Sequence, residues 1–513
     1  MVEQSNSKTT STVGAKTMIA SFWLITGFMF RRVTQLAITV ILARLLVPAD
    51  FGLVALATTL LLSLMSITEL SLFNALIHER EPAREDYDTA FTFSALRGIA
   101  LAAIMAVGGF GMAYAYHDDR LLLVTAALGL KPLLGGFTSP FYVMLAKNLS
   151  FGRVTFWESA AAASQVVASV AVALLTGSYW AIVAGVVVAS VVGLVASYWC
   201  APYRPRLSVA SWRKLMSFSA WMTLNQIASV VGNRFDNFLG GGILGTAAFG
   251  AYNVGNNVAS LVTQSALQPL ERVLFPSFAT IVDNKARLRN AFQRSQACLL
   301  AVGLPLGFGL AVVAEPFVYV ILGPKWPIAA TVIEYIAPVL AVQIVFGPQN
   351  ALAYSLGATR MLFNRSLVLL IVRIPIVFAG LYFFGMTGLL VSRVISGGIM
   401  VSIVNMYMVR TLIGISPWDQ VRVAWRSVVS TAVMMMAVLL VRSGFGFHPI
   451  HDFKEGFVML VTCVSTGAIV YCAVHAGLWL MSGRPGQGIE SEIVRIVEKL
   501  AGRWPSRRRQ PAQ

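Results

Sequence analysis

The chain has 513 residues, of which 57% are hydrophobic and only 12% charged, and its mean hydropathy is +0.73. A soluble chain of this length needs far more charge to cover its surface, so a soluble globular protein is excluded. The formal net charge of +17 would raise the question of nucleic acid in a soluble domain; in a membrane chain the placement of Lys and Arg reports orientation instead, and no nucleic-acid partner is expected.

The first 17 residues (MVEQSNSKTTSTVGAKT) are polar and rich in Ser and Thr. They lack the short apolar core and cleavage site of a secretory signal, so the first apolar run is the expected insertion signal. From there to Met481, runs long enough to cross a bilayer core of about 30 Å as helix follow one another. About fourteen spans are expected, near 17–46, 52–77, 88–115, 120–145, 153–176, 179–201, 214–244, 248–279, 290–315, 329–354, 362–383, 387–410, 424–443 and 456–481. No alternating ten-residue pattern of a β-barrel is visible, and the predicted class is an all-α polytopic membrane protein. An even number of spans places both termini on one side.

The loops agree with that count. With the N-terminus cytoplasmic, the inside segments include HEREPARED (78–86), YRPRLSVASWRK (203–214), DNKARLRNAFQR (283–294) and RWPSRRR (503–509). About 26 of the 39 Lys and Arg then fall inside and about four outside, the asymmetry that orients membrane helices. The expected organisation is a cytoplasmic tail (1–16), an N-lobe of six spans (17–201), a cytoplasmic linker (202–213), a C-lobe of six spans (214–410), two further spans (424–481) and a basic cytoplasmic tail (482–513). That tail carries Ile489, Ile493, Ile496, Val497 and Leu500 at helical spacing, a pattern that suits either the leaflet surface or a plain topogenic tail.

One short stretch is written twice. LLVPADFG (45–52) and ILGTAAFG (243–250) share Leu46/Leu244, Ala49/Ala247, Phe51/Phe249 and Gly52/Gly250, and each is a tight outside turn between two long apolar runs. About six spans separate the copies, so both halves insert the same way round, and transporters built on such repeats often place the substrate path between the halves.

Ionisable residues at membrane depth cost several kcal/mol each and need a partner or a watery cavity. Arg31 and Arg32 lie mid-span in the first run, Arg234 and Asp236 in the seventh and Arg373 in the eleventh; Glu69, Arg97, Lys131, Glu158, Glu271, Arg272, Glu334 and Arg393 complete the set. Cations outnumber anions within the spans, which points to a cationic cavity for an anionic cargo, with Arg31, Arg32, Arg234 and Arg373 as its lining. Glu69, Arg97, Asp236, Glu271 and Arg272 are candidates for gating or ion coupling; Asp236 either pairs locally with Arg234 or binds a coupling cation. Glu158 and Arg97 fall near cytoplasmic ends, where snorkelling suffices.

No catalytic residue is expected. The chain has no GxxxxGK[ST] loop and no HExxH, GxSxG or CxxC motif; its four cysteines read as small apolar packers, and its five scattered histidines give no metal site. No cofactor is expected beyond a coupling ion, H⁺ or Na⁺.

ILARLLVPADFGLVALA (41–57), GSYWAIVAG (177–185), NRFDNFLGGGILGTAAFGAYNVG (233–255), RVLFPSFA (272–279) and LGPKW (322–326) together resemble the bacterial Wzx-type oligosaccharide flippases, polysaccharide transporters of the multidrug/oligosaccharidyl-lipid/polysaccharide (MOP) superfamily, and the span number resembles their longer exopolysaccharide-export branch. The resemblance implies two pseudo-symmetric six-helix lobes of MATE-like fold plus two C-terminal helices. It implies an inner-membrane protein that is not an enzyme and that moves an undecaprenyl-pyrophosphate-linked oligosaccharide repeat unit from the cytoplasmic to the periplasmic leaflet by alternating access. The product would feed exopolysaccharide, O-antigen (lipopolysaccharide) or capsule assembly, with membrane lipids, a polysaccharide polymerase and chain-length or export proteins as partners. A multidrug or other small-molecule antiporter, a lipid II flippase, and a membrane polymerase or glycosyltransferase are the alternatives; the short outer loops argue against the last.

Overall fold

The computed structural model describes residues 2–68, 76, 82–147, 150–211, 220–264, 268–445 and 452–483. All regular structure among them is helical. In chain order the helices are α1 (Val2–Leu45), α2 (Pro48–Ile67), α3 (Arg84–Tyr116), α4 (Arg120–Leu128), α5 (Leu130–Gly136), α6 (Tyr142–Lys147), α7 (Phe151–Thr176), α8 (Trp180–Cys200) and α9 (Ala220–Thr263). They continue as α10 (Gln268–Ala279), α11 (Lys285–Val312), α12 (Ala314–Ile321), α13 (Pro327–Val345), α14 (Gly347–Ser355), α15 (Thr359–Arg393), a π-helical turn (Val394–Met400), α16 (Val401–Ile413), α17 (Pro417–Gly444) and α18 (Phe453–Met481). Helix is what apolar runs must form in lipid, because each backbone N–H and C=O then finds its partner within the run.

Ten helices among the described residues are long and apolar enough to cross a membrane. One of them, Thr359–Ile413, holds two of the predicted spans. It doubles back at Gly385, where φ is +57° and only glycine is free of strain. The reversal is tight: a Cβ on Gly388 would stand 1.9 Å from the carbonyl oxygen of Gly380, and Ser392 donates to the Ile376 carbonyl at 3.0 Å. The predicted spans 120–145, 214–244 and 248–279 are not among the ten. The first is broken into α4, α5 and α6, where Pro132 and Pro140 withhold backbone N–H groups. The other two meet at Gly245 (φ +77°), where the predicted turn between them lies, inside a helix that carries Asn225, Asn233, Arg234 and Asp236. The predicted tail pattern at 489–500 lies outside the described residues.

Helix ends follow their local chemistry. Pro48 opens α2, and the Asp50 carboxylate accepts the Val47 N–H at 3.4 Å. Asn284 caps α11 by accepting from the Arg287 N–H at 3.0 Å, and Ser416 caps α17 by accepting from the Asp419 N–H at 3.1 Å.

The residues divide into two compact units. Unit 1 comprises Met1–Leu261, Ile321–Val332 and Leu362–Ser392, and so takes in chain from both sides of the 202–213 linker. In it α7 packs along both α8 and α1, and Ile38, Leu42, Leu46, Ala173 and Ala181 form a buried cluster. Unit 2 comprises Val262–Val320, Ile333–Met361 and Arg393–Gln513. There α17 packs on α11 and α18; Tyr471 donates to the Ala301 carbonyl at 2.7 Å, and Arg442 ion-pairs with Glu315 and donates to the Val312 carbonyl at 3.2 Å. The last two spans are thereby fastened to the helix bundle by polar contacts at both depths of α11.

Candidate functional site

The charged residues predicted to line a cavity form two groups, both in unit 1. In the first, Arg31 on α1 ion-pairs with Glu158 on α7, and its neighbour Arg32 lies 5.0 Å from the Phe28 ring centroid. The pair borders a cavity of about 240 Å³ between α1, α7 and α8, whose polar lining also includes Thr34, Gln35 and Gln165. Both charged side chains keep about a third or more of their surface accessible, so the pair is not sealed in the protein interior. Glu158 therefore does not simply snorkel towards the cytoplasm: it is the counter-ion of Arg31. Sequence reasoning left Glu158 and the amides out of the site, although the signal was present. Positions 31, 34, 35 and 38 on one helix and 158, 161, 162 and 165 on the other follow the i, i+3, i+4, i+7 spacing of one helical face.

The second group is drier. Arg373 on α15 donates to the Asp236 carboxylate of α9 at 2.8 Å, with the two side chains only 11% and 1% accessible. Asp236 also lies within electrostatic reach of Arg234, two residues away. Of the alternatives left open for Asp236, a local pair or a coupling cation, the structure adds a third partner, 137 residues distant in sequence. An ion pair this buried is held in place by what it costs to break.

Arg97 does neither. Its Nε donates to Thr68 Oγ1 at 3.0 Å and a terminal nitrogen to the Met65 carbonyl at 2.5 Å, so it closes the C-terminal turn of α2, where the helix dipole favours a cation. Glu69 and the side chains of Glu271 and Arg272 lie outside the described residues.

The two copies of the repeated turn meet each other. A Cβ on Gly52 would stand 1.8 Å from the Thr246 carbonyl oxygen, and one on Gly250 would stand 1.9 Å from the Pro48 carbonyl oxygen and 2.6 Å from the Gly52 nitrogen. Only glycine at both positions lets the backbones approach this far. A third motif joins them: the indole of Trp326, from LGPKW, is fully buried, donates to the Ala43 carbonyl at 2.9 Å and stands edge-on to Phe51 with ring centroids 5.2 Å apart. Arg44 Nε adds a bond to the Ile321 carbonyl at 3.3 Å, and Tyr116 donates to the Phe238 carbonyl at 2.9 Å. At this end the two sequence halves are latched together.

Two charged groups outside the spans have local partners. Asp118 is gripped by Arg120 through bonds of 2.9 and 2.7 Å, which holds its carboxyl below the ordinary carboxylate range. On the linker side, Tyr203 donates to the Asp88 carboxylate at 2.5 Å; burial first and then that carboxylate push the phenol up. Ser208 and Ser211 N–H groups bond Thr92 and Thr89 at 2.9 and 3.3 Å, strapping the linker along the start of α3.

Among solved structures, the chain is similar to the lipid II flippase MurJ in its inward closed conformation, with a TM-score of 0.67 at 12% identity over 91% of this chain and 100% of that one. An inward-facing multidrug resistance MATE transporter of the MOP superfamily gives 0.58 at 14% identity, covering 74% and 94%. These likenesses show the fold, which is shared with that flippase and with MATE transporters. In sequence, the succinoglycan biosynthesis transport protein ExoT of Rhizobium meliloti is 29% identical over 58% of this chain and 60% of its own length. The lipopolysaccharide biosynthesis protein WzxC of Escherichia coli is 26% identical over 63% and 65%, so the match spans somewhat under two thirds of either relative. A membrane protein of the cps region of Klebsiella pneumoniae is 21% identical over 78% of this chain and 84% of that one. Residues 41–331 match the polysaccharide biosynthesis protein family, and the chain belongs to that family.

Proposed function

We propose that this protein is a flippase that moves an undecaprenyl-pyrophosphate-linked oligosaccharide repeat unit from the cytoplasmic to the periplasmic leaflet of the bacterial inner membrane, for exopolysaccharide, O-antigen or capsule assembly. The observation that carries the reading is the accessible Arg31–Glu158 pair beside a cavity that also presents Thr34, Gln35 and Gln165, inside a bundle of this family. A pyrophosphate bearing sugars is too polar to cross hydrocarbon unaided. A guanidinium offers its oxygens paired, charge-assisted hydrogen bonds, and side-chain amides suit sugar hydroxyls. Glu158 neutralises Arg31 while no cargo is bound; an arriving phosphate competes with it, so the cation need never stand bare in the membrane. The polyprenyl tail stays in lipid throughout.

Relatives named for succinoglycan transport, lipopolysaccharide biosynthesis and teichuronic acid biosynthesis support the substrate class, and the fold shared with a lipid II flippase supports the type of movement. The reading includes two six-helix lobes, 17–201 and 214–410, alternating access between them, both termini in the cytoplasm, coupling to H⁺ or Na⁺, and hand-over to a polymerase and to chain-length or export proteins. The mutual packing of Gly52 and Gly250 supports a state closed at the periplasmic end. Catalysis has no part in it.

The test is leaflet-resolved accumulation of lipid-linked repeat units in a deletion strain. Wild-type protein restores surface polysaccharide and clears the cytoplasmic-leaflet pool. Arg31→Ala is expected to lower that flux more than tenfold, the loss of one charge-assisted contact. Units that still reach the outer leaflet in the deletion strain, with only polymer missing, would reject transport in favour of polymerisation.

A further inference from the structure

Where α7 begins and α8 ends, the helical hairpin carries an open groove of about 500 Å³ that takes no part in the site above. Gly152, Arg153 and Phe156 line it from α7, and Trp199, Cys200 and Pro202 from the end of α8 and the segment beyond. Phe156 and Trp199 meet edge-to-face at 5.6 Å, yet remain 51% and 74% exposed. Large exposed aromatics at the end of a membrane helix belong at headgroup level, where an apolar ring body and a polar rim are both accommodated. Arg153 is exposed in the same groove and has no ion pair or hydrogen bond among the described residues. Past the groove, the chain runs on through exposed Arg204 and Arg206 and exposed Leu207 and Val209. Arg153 and Glu158 are five residues apart on one helix, about 140° around it, and the groove shares no lining residue with the Arg31 cavity.

We propose that this groove is a binding site for one anionic glycerophospholipid of the surrounding leaflet, its phosphodiester against Arg153 and its upper acyl segment laid against the exposed faces of the Phe156–Trp199 pair. Basic grooves between membrane helices at the interface select anionic headgroups because the guanidinium supplies charge and directed donors where water is already scarce. One arginine matches the single charge of a phosphodiester, and the neighbouring Arg204 and Arg206 raise the local concentration of anionic lipid without having to touch it. The bound lipid braces the α7–α8 hairpin beside the strapped linker. The inference is independent of what the protein transports.

The experiment titrates purified full-length protein in neutral detergent with phosphatidylglycerol and, separately, phosphatidylcholine, and reads bound lipid by native mass spectrometry and Tm shift. Phosphatidylglycerol is expected to bind about tenfold more tightly than phosphatidylcholine. Arg153→Ala is expected to remove that preference while leaving phosphatidylcholine binding unchanged, Arg153→Lys to retain part of it, and Trp199→Ala to weaken both lipids. Equal binding of the two lipids, or an unchanged preference in Arg153→Ala, overturns the proposal. If Arg153→Ala is not monodisperse, Trp199→Ala, a change at an exposed residue, carries the test, and unchanged binding there overturns it too. Undecaprenyl pyrophosphate is the competitor: displacement of phosphatidylglycerol at equimolar concentration would reassign the groove to the cargo and overturn the assignment to leaflet lipid.

Discussion

Replacing Gly52 by alanine places a methyl group 1.8 Å from the Thr246 carbonyl oxygen and 3.1 Å from the Gly250 nitrogen. A carbon needs about 3.3 Å from a carbonyl oxygen, so the two backbones must part by roughly 1.5 Å. Both obstructing atoms belong to the main chain, and no rotamer change relieves the overlap. Overpacking of a well-packed contact costs about 1–3 kcal/mol, and with rigid backbone on both sides the upper end applies. About 3 kcal/mol corresponds to a shift of more than a hundredfold in the equilibrium between the latched and unlatched turn. The assay is labelling of Thr246→Cys by a membrane-impermeant maleimide, in a background where the four native cysteines are replaced. Gly52→Ala and Gly250→Ala should each raise the labelling rate from the periplasmic side and lower flux. Gly111→Ala is the control, since a Cβ there meets nothing within 4 Å. Labelling rates unchanged by both substitutions, in protein that is folded and inserted, would refute the latch.

Other expectations follow from the same geometry. Arg373→Gln leaves Asp236 buried without its guanidinium and should cost about 3 kcal/mol, read as a lowered Tm in detergent; adding Asp236→Asn should recover part of it. Arg31→Glu paired with Glu158→Arg rebuilds the accessible pair in reverse and should keep stability within about 1 kcal/mol of wild type while lowering flux, which separates folding from cargo binding. Trp326→Ala should cost about 3–5 kcal/mol and speed hydrogen exchange across 321–332, because a fully buried indole and its bond to Ala43 are both lost. Asp118 is held below its ordinary value of 3.8, so its bonds to Arg120 contribute fully above that pH and are lost only as pH falls through the lowered value; protection factors at 117–122, with the intrinsic pH dependence of exchange divided out, should not differ between about pH 5 and 8 on this account.

The elements were legible where physics acts along the chain. Apolar length announced the helices, and Gly245 and Gly385 mark the turns that separate the predicted seventh from eighth and eleventh from twelfth spans. The broken fourth span was less so: its hydropathy reads as one run, and only Pro132 and Pro140 hint that the run cannot stay one helix. Pairings across the fold were not legible. Asp236 has Arg234 two residues away, and nothing in the sequence says that Arg373 reaches it as well. The surplus of intramembrane cations suggested a cationic cavity without saying which arginines have partners; Arg31 and Arg373 each hold a carboxylate and Arg97 holds a helix end. The repeated turn was visible as two similar phrases; that Gly52 and Gly250 are alike because they press on each other is a tertiary fact.

The account stands on movement of a lipid-linked oligosaccharide through this bundle, and the most direct measurement uses purified protein in proteoliposomes carrying a fluorescent undecaprenyl-pyrophosphate oligosaccharide. Quenching from outside reports the fraction that has crossed. The account predicts crossing with wild-type protein, much slower crossing with Arg31→Ala, and none for a zwitterionic phospholipid reporter. Crossing no faster than in protein-free vesicles, in folded and oriented protein supplied with H⁺ and Na⁺ gradients, would contradict it.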